Sequence, residues 1–298
     1  RNVQQRIALW TPVVAVGLYL ILTLVILISS IDSIQFAAHE LYGAPFIAAV
    51  MLAFVMWSMR DKPQRVFFLL VSTPLILLFA WLFGNSLGYD SSDILGASLS
   101  RGQIGMVVLL PALLALPATV SLIRENSGKR KITFFAHFIH LGLVLLVIGH
   151  VMSTTIIDRG TYSHSVTLIQ DEKVEWGDYQ FEFVEVVTQS GDDLEVGDGY
   201  LGAVINVYDD DGELIETVEP GVIRFDSRSR SEVDRVSMWH GDLVLIMDGT
   251  QARSLMEGSD LVRIMVYDLP GIHLVWGGWS LMLLASLAIW TPRRDPTD

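Results

Sequence analysis

Thr133 to Ser153, reading TFFAHFIHLGLVLLVIGHVMS, is an apolar run long enough to cross a bilayer, and it carries three of the seven histidines: His137, His140 and His150. Ionisable side chains inside a membrane span are costly and as a rule face a bundle interior or a cofactor. The run also divides the chain. Almost pure membrane sequence precedes it, and a long acidic segment followed by one more apolar run comes after it.

Apolar stretches of about 20 residues span about 30 Å of hydrocarbon. Six are expected here, at about 7–31, 45–59, 66–86, 102–123, 133–153 and 272–291, the second being short. With 51% hydrophobic residues, the composition argues against an ordinary soluble enzyme. The first run is too long for a signal-peptide core and no small-residue cleavage site follows it. The first residue is Arg1 rather than Met, so a portion of a longer protein is expected. The fold class is therefore an α-helical transmembrane bundle with one inserted extracytoplasmic β domain. Residues 1–153 hold helices one to five, 154–271 the β-rich domain, and 272–298 the last helix and a cytoplasmic tail.

Basic residues set the orientation. Arg1 and Arg6 precede the first run; Arg60, Lys62 and Arg65 fill one connector; Arg124, Lys129, Arg130 and Lys131 fill another; Arg293 and Arg294 follow the last. Six crossings place all four clusters on one side, which is cytoplasmic by the positive-inside rule. The opposite connectors, 32–44 and 85–102, carry Asp32, Glu40, Asp90 and Asp93 with only Arg101 as a base. The expected location is a multi-pass protein of the cell membrane with residues 154–271 outside. That outer segment holds most of the acids behind the net charge of −13, which argues against nucleic acid as a partner. The absence of cysteine excludes disulfides and thiolate metal sites.

Within it, Ser163–Ile169 and Tyr179–Val187 alternate in polarity and are expected to join across Gly177-Asp178. Val204–Tyr208 and Leu214–Val218 flank Asp209-Asp210-Asp211-Gly212, a hairpin signal, and Leu243–Met247 and Leu261–Tyr267 follow. Short strands at this spacing suggest a small antiparallel barrel or sandwich.

His137 and His140 are three residues apart and share a helix face; His150 lies about 15 Å further along the axis than His140. Neutral imidazole is a good axial ligand for haem iron, and histidines on membrane helices hold b-type haems. Gly142 and Gly149 leave room for a macrocycle or for a closely packed helix. Plainer roles stay open: a hydrogen bond to a neighbouring helix for His140 or His137, and a polar interface anchor for His150. His39, in an outer connector beside Glu40, is a further candidate for haem contact. His164 and His240 read as surface polarity, and Trp276 and Trp279 as an interfacial belt. The sequence has no HExxH, no GxSxG and no phosphate-binding glycine loop.

The stretch Ala136-His137-Phe138-Ile139-His140-Leu141-Gly142, continuing to Val147-Ile148-Gly149, resembles a late span of the CcmF family of cytochrome c haem lyases. There an AHLG-like motif carries an axial ligand of an intramembrane b-type haem, and the matching position is His140, not His137. Trp176-Gly177-Asp178-Tyr179-Gln180-Phe181 is similar to the start of that family's outer β domain. Gly241-Asp242-Leu243-Val244 resembles one of its strands, and Pro270 to His273 with Trp276, Gly278 and Met282 its terminal span. The family's WWD motif, with its flanking histidines and a second span histidine, is not recognisable. The likeness is therefore to the C-terminal half.

What the resemblance implies is a module for cytochrome c maturation. The family attaches haem covalently to the two CxxCH thiols of exported apocytochrome c, so haem is its substrate, and haem b is a structural or redox centre. Implied partners are apocytochrome c, a haem chaperone and other maturation subunits, an N-terminal half carrying WWD, and membrane lipid. A membrane b-type cytochrome for electron transfer and a haem-free membrane scaffold stay open as alternatives.

Overall fold

The computed structural model describes residues 3–29, 36–62, 64–86, 91–94, 97–128, 130–157, 164–194, 196–226 and 228–291. The chain divides into two compact units, Arg1–Ile157 with Gly271–Asp298, and Asp158–Pro270.

The first unit is helical: α1 (Val3–Ser29), α2 (Phe36–Ser58), α3 (Arg65–Phe83), α4 (Arg101–Glu125), α5 (Lys131–His150) and, after the second unit, α7 (Ile272–Trp290). Five of these helices are long and apolar enough to cross a membrane; the apolar part of α2, Tyr42–Ser58, is shorter. Side chains such as Leu20, Leu70, Trp81 and Leu284 are exposed along the helices, as expected where lipid replaces water as solvent. The buried residues between helices are mostly small or β-branched: Ala44, Val55, Ala112, Ala115, Val144 and Val147 let the backbones approach.

Part of the connector expected as a plain loop is ordered. Residues Ser91–Ile94 (β1) and Ala97–Ser100 (β2) pair as a short antiparallel hairpin. Ser100 then caps α4: its side chain accepts from the Gln103 backbone N–H, while the Gln103 side chain accepts from the Ser100 N–H. Arg101, the one base of the two outer connectors, is buried. Its guanidinium donates to the Thr155 carbonyl at 3.0 Å and the Thr154 carbonyl at 3.4 Å. Those carbonyls belong to a π-helical turn, Val151–Thr155, that continues α5. A cation at a helix C-terminus satisfies carbonyls that lack intrahelical donors, so Arg101 serves to close α5 and carries no weight in the charge asymmetry.

The basic connectors meet at the opposite end of the bundle. Arg60 lies 3.5 Å from the Glu125 carboxylate at the end of α4, and Lys131 donates to the Thr291 carbonyl at 2.7 Å after α7.

The second unit is a β barrel-like sheet. Its strands are β3 (Ser165–Ile169), β4 (Lys173–Trp176), β5 (Tyr179–Ser190), β6 (Gly199–Asp209), β7 (Leu214–Val218), β8 (Gly221–Phe225), β9 (Arg228–Met238), β10 (Gly241–Met247) and β11 (Leu261–Pro270). A short helix, α6 (Ala252–Met256), lies between the last two. The order is β3-β11-β10-β9-β8-β6-β5-β4 with β7 on β6. Gln170, just past β3, bridges Phe183 on β5, which brings the two ends of the sheet together. Alternate residues point inward: Phe181 and Phe183, Ala203, Ile205 and Val207, Leu243, Leu245 and Met247, and Val262, Ile264 and Val266 form one core.

The 209–212 hairpin forms as expected, with Gly212 at φ +80° and Asp209 accepting from the Glu213 N–H at 2.8 Å. The Gly177-Asp178 turn is different. It joins β4 to β5, with Trp176 opposite Tyr179, and β3 pairs with β11 instead. Gly177 takes φ +59°, the value a two-residue hairpin turn demands at that place. His164, read as surface polarity, is buried; it stacks on Tyr267 at 4.5 Å and its Nδ1 lies 2.8 Å from the Val266 carbonyl.

Candidate cofactor site

His137 and His140 both come to one cavity of about 350 Å³ inside the helical unit, near the end where the basic connectors meet. Three further helices complete the wall: Leu9 and Pro12 from α1, Phe54 and Trp57 from α2, and Thr119 and Leu122 from α4. Helical geometry explains the convergence, because residues three apart on α5 lie on adjacent turns of one face. The two imidazole centroids are 5.6 Å apart with planes tilted by 58°. His140 also packs on Phe54 at 4.8 Å. His137 is buried, whereas His140 is half-buried and open to the cavity.

The rest of the wall offers little to a metal. The Thr119 hydroxyl donates to its own helix, at 2.9 Å from both the Ala115 and Leu116 carbonyls. Trp57 has only a donor to offer. Among the described residues the imidazoles are thus the only lone-pair nitrogen ligands on this apolar surface, and no group of three or more metal-ligating side chains occurs.

The remaining sequence candidates lie elsewhere. His150 is exposed, one helical end away from the cavity. The His39 side chain lies outside the described residues, although its backbone belongs to α2. The glycines of α5 serve a helix and not a macrocycle. A Cβ on Gly142 would stand 2.6 Å from the Gly278 carbonyl, and one on Gly149 would stand 2.7 Å from the Gly271 carbonyl. Both glycines therefore face α7. Gly142 lies about 200° around the helix from His140, so the closely packed face and the histidine face are opposite sides of α5.

The sequence could not show which helices would wall the histidines. Leu9, Pro12, Phe54 and Trp57 are ordinary span residues until the bundle brings them together. The residue-level signal was the histidines alone.

No protein-family model matches the sequence, and no curated protein matches it significantly. One solved structure, a cytochrome c haem lyase CcmF, is similar with a TM-score of 0.66 and 16% sequence identity, over 98% of this chain and 46% of that one. The chain thus spans less than half the length of the protein that it matches, an extent consistent with a C-terminal half. Taken with the helical bundle and the antiparallel sheet inserted before its last helix, this means that the chain has the CcmF fold over nearly its whole length.

Proposed function

We propose that this chain is the C-terminal membrane module of a CcmF-like cytochrome c haem lyase, with His140 as one axial ligand of an intramembrane b-type haem. The observation that carries the reading is the pair of imidazoles on an apolar, four-helix cavity in a chain with this fold. The residues present fit such a group on one side only. His140 supplies a ring nitrogen beside apolar and aromatic walls, and no histidine from another helix lines the cavity among the described residues. A second ligand, if the group takes one, would have to come from outside the described residues. A bound b-type haem supplies one-electron redox chemistry. The chain's own residues orient the His140 ring through Phe54 and exclude water with Leu9, Leu122 and Trp57.

In this reading the substrate is haem together with the CxxCH thiols of exported apocytochrome c. The β unit is extracytoplasmic and both termini are cytoplasmic. Support for the sidedness comes from the basic connectors gathered at one end of the bundle. A haem chaperone, other maturation subunits and the WWD-bearing half would be partners.

The decisive experiment is covalent maturation in intact cells. Removing the gene is expected to abolish haem-stained CxxCH cytochromes in the cell envelope, with restoration by the full chain. If covalent attachment persists while a b-type membrane spectrum is lost, the chain is an electron carrier; if neither changes, it is a scaffold. Sidedness is read from Val196→Cys, an exposed position in a chain without cysteine. A membrane-impermeant maleimide added outside should label it, and labelling only after permeabilisation would reverse the orientation.

A further inference from the structure

Trp239 is the most exposed large apolar side chain among the described residues, 93% accessible. It forms the tip of the tight turn between β9 and β10, with the His240 ring 5.2 Å away. Turns of this kind ordinarily carry Gly, Asn, Asp or Ser. The core below needs no indole. Met238 and Tyr179 close it, with the Tyr179 hydroxyl 3.7 Å from the Met238 sulfur and 3.4 Å from His240 Nε2. An indole held in water at this point adds nothing to the sheet.

Strand register fixes the location of the turn. Gly241, the first residue of β10, pairs with Pro270, the last residue of β11. Ile272 then begins α7, which is long and apolar enough to cross a membrane. Directly paired antiparallel residues are about 5 Å apart. Backbone pairing and covalent bonds alone therefore hold the Trp239 backbone within about 20 Å of Ile272, where α7 begins. The headgroup layer there is several Å deep and is where amphipathic indoles concentrate. Trp276 and Trp279, 61% and 58% exposed, stand on the early turns of that same helix.

We propose that the Trp239-His240 turn is a membrane-interface anchor, seating the Trp239 indole among zwitterionic phospholipid headgroups. Charge selects the lipid class. Asp178 follows Gly177 in the neighbouring turn, Tyr179 pairs with Asp209, and Asp268 pairs with Leu243, so acids surround this end of the sheet. Burial raises the Asp268 carboxyl above its usual range; nearby His240 lowers it and Asp178 raises it. An anionic surface would repel this end, while zwitterionic headgroups offer ammonium groups to the acids and a polar layer to the indole.

The test uses the full chain in phosphatidylcholine vesicles. Because the sequence has no cysteine, Trp239→Cys gives a unique thiol for a nitroxide. Val196→Cys is the control, 61% exposed in the loop joining β5 to β6. That loop lies at the Ser190–Gly199 end of the strand pair, opposite the Tyr179–Asp209 end. At position 239, accessibility to oxygen should exceed that at 196 several-fold, with the reverse for a water-soluble nickel chelate. Independently, the emission lost on Trp239→Phe should be quenched by lipids brominated near the headgroup and spared by aqueous acrylamide. Equal nickel accessibility at 239 and 196, or Trp239 emission quenched by acrylamide and not by brominated lipid, overturns the anchor and leaves the turn free for a protein partner. Replacing half the lipid with phosphatidylglycerol at low salt should weaken the protection. Unchanged or stronger protection overturns the zwitterionic assignment.

Discussion

On the proposed function, His140→Ala is expected to abolish the low-spin b-type absorption spectrum of the assembled complex, whereas His137→Ala and His150→Ala should leave most of it. The first part follows from the cavity. His140 is half-buried and open to it while His137 beside it is buried, and the rest of the wall is apolar, aromatic or hydroxyl-satisfied, so no side chain outside this pair offers a lone pair. The second follows from direction. His137 and His140 leave the same face of α5, their rings 5.6 Å apart. For both to bind one iron from opposite sides, the macrocycle would have to cut between successive turns of one helix, through its own backbone. His150 is exposed and belongs to the other end of α5. For the same reason the isolated chain should bind haem weakly or with five coordination, and low-spin character should appear only with the remaining half present. His140→Gly gives a useful check, because added imidazole should restore much of the lost band if the cavity is otherwise intact. A full low-spin spectrum from the isolated chain that survives His140→Ala would remove the ligand assignment. Loss on His137→Ala alone would transfer the role to that residue.

The helices were legible because lipid imposes a single requirement: a run of apolar residues long enough to satisfy its own backbone. All six expected runs correspond to helices, and even the shortness of the second was readable from Tyr42–Ser58. The β unit was legible where one face is buried. Phe181, Phe183, Ile205 and Val207 alternate with polar neighbours and lie on strands the pattern indicated. β9 was not, because in Arg228–Met238 only Val236 is buried. Its strand character comes from being held between β8 and β10, a tertiary fact that polarity along the chain does not record. β8 and β4, at five and four residues, were too short to show a period. At the site, the histidine motif was visible, but the purpose of Gly142 and Gly149 was not. A glycine in a span reads equally as space for a ligand or for a helix, and only the position of α7 decides between them.

That decision leads to a second large effect. Gly278→Ala should destabilise the helical unit by about 1–3 kcal/mol through overpacking, while Gly277→Ala, one residue away, should be neutral or stabilise by up to about 0.5–1 kcal/mol through helix propensity. α5 and α7 run antiparallel, with Gly142 against Gly278 and Gly149 against Gly271, seven residues apart on each helix. At the first pair each glycine's missing Cβ lies against the other's carbonyl, and one on Gly278 would also stand 2.8 Å from the Leu146 backbone nitrogen. Backbone atoms of a packed helix cannot swing aside as a side-chain tip can, so a methyl group there must push the helices apart. Such a shift gives up dispersion contacts along the interface, and in a bilayer these replace the hydrophobic effect as the attraction between helices. Gly277 has nothing within 4 Å of its Cβ position and faces outward. Thermal unfolding in one detergent, followed by helix signal, compares the two directly. The expected outcome is a lower midpoint for Gly278→Ala and Gly142→Ala and an equal or higher one for Gly277→Ala. Equal midpoints for all three would mean that α5 and α7 do not pack through these glycines, and the histidine face of α5 would then lose the rigid backing on which the His140 assignment depends.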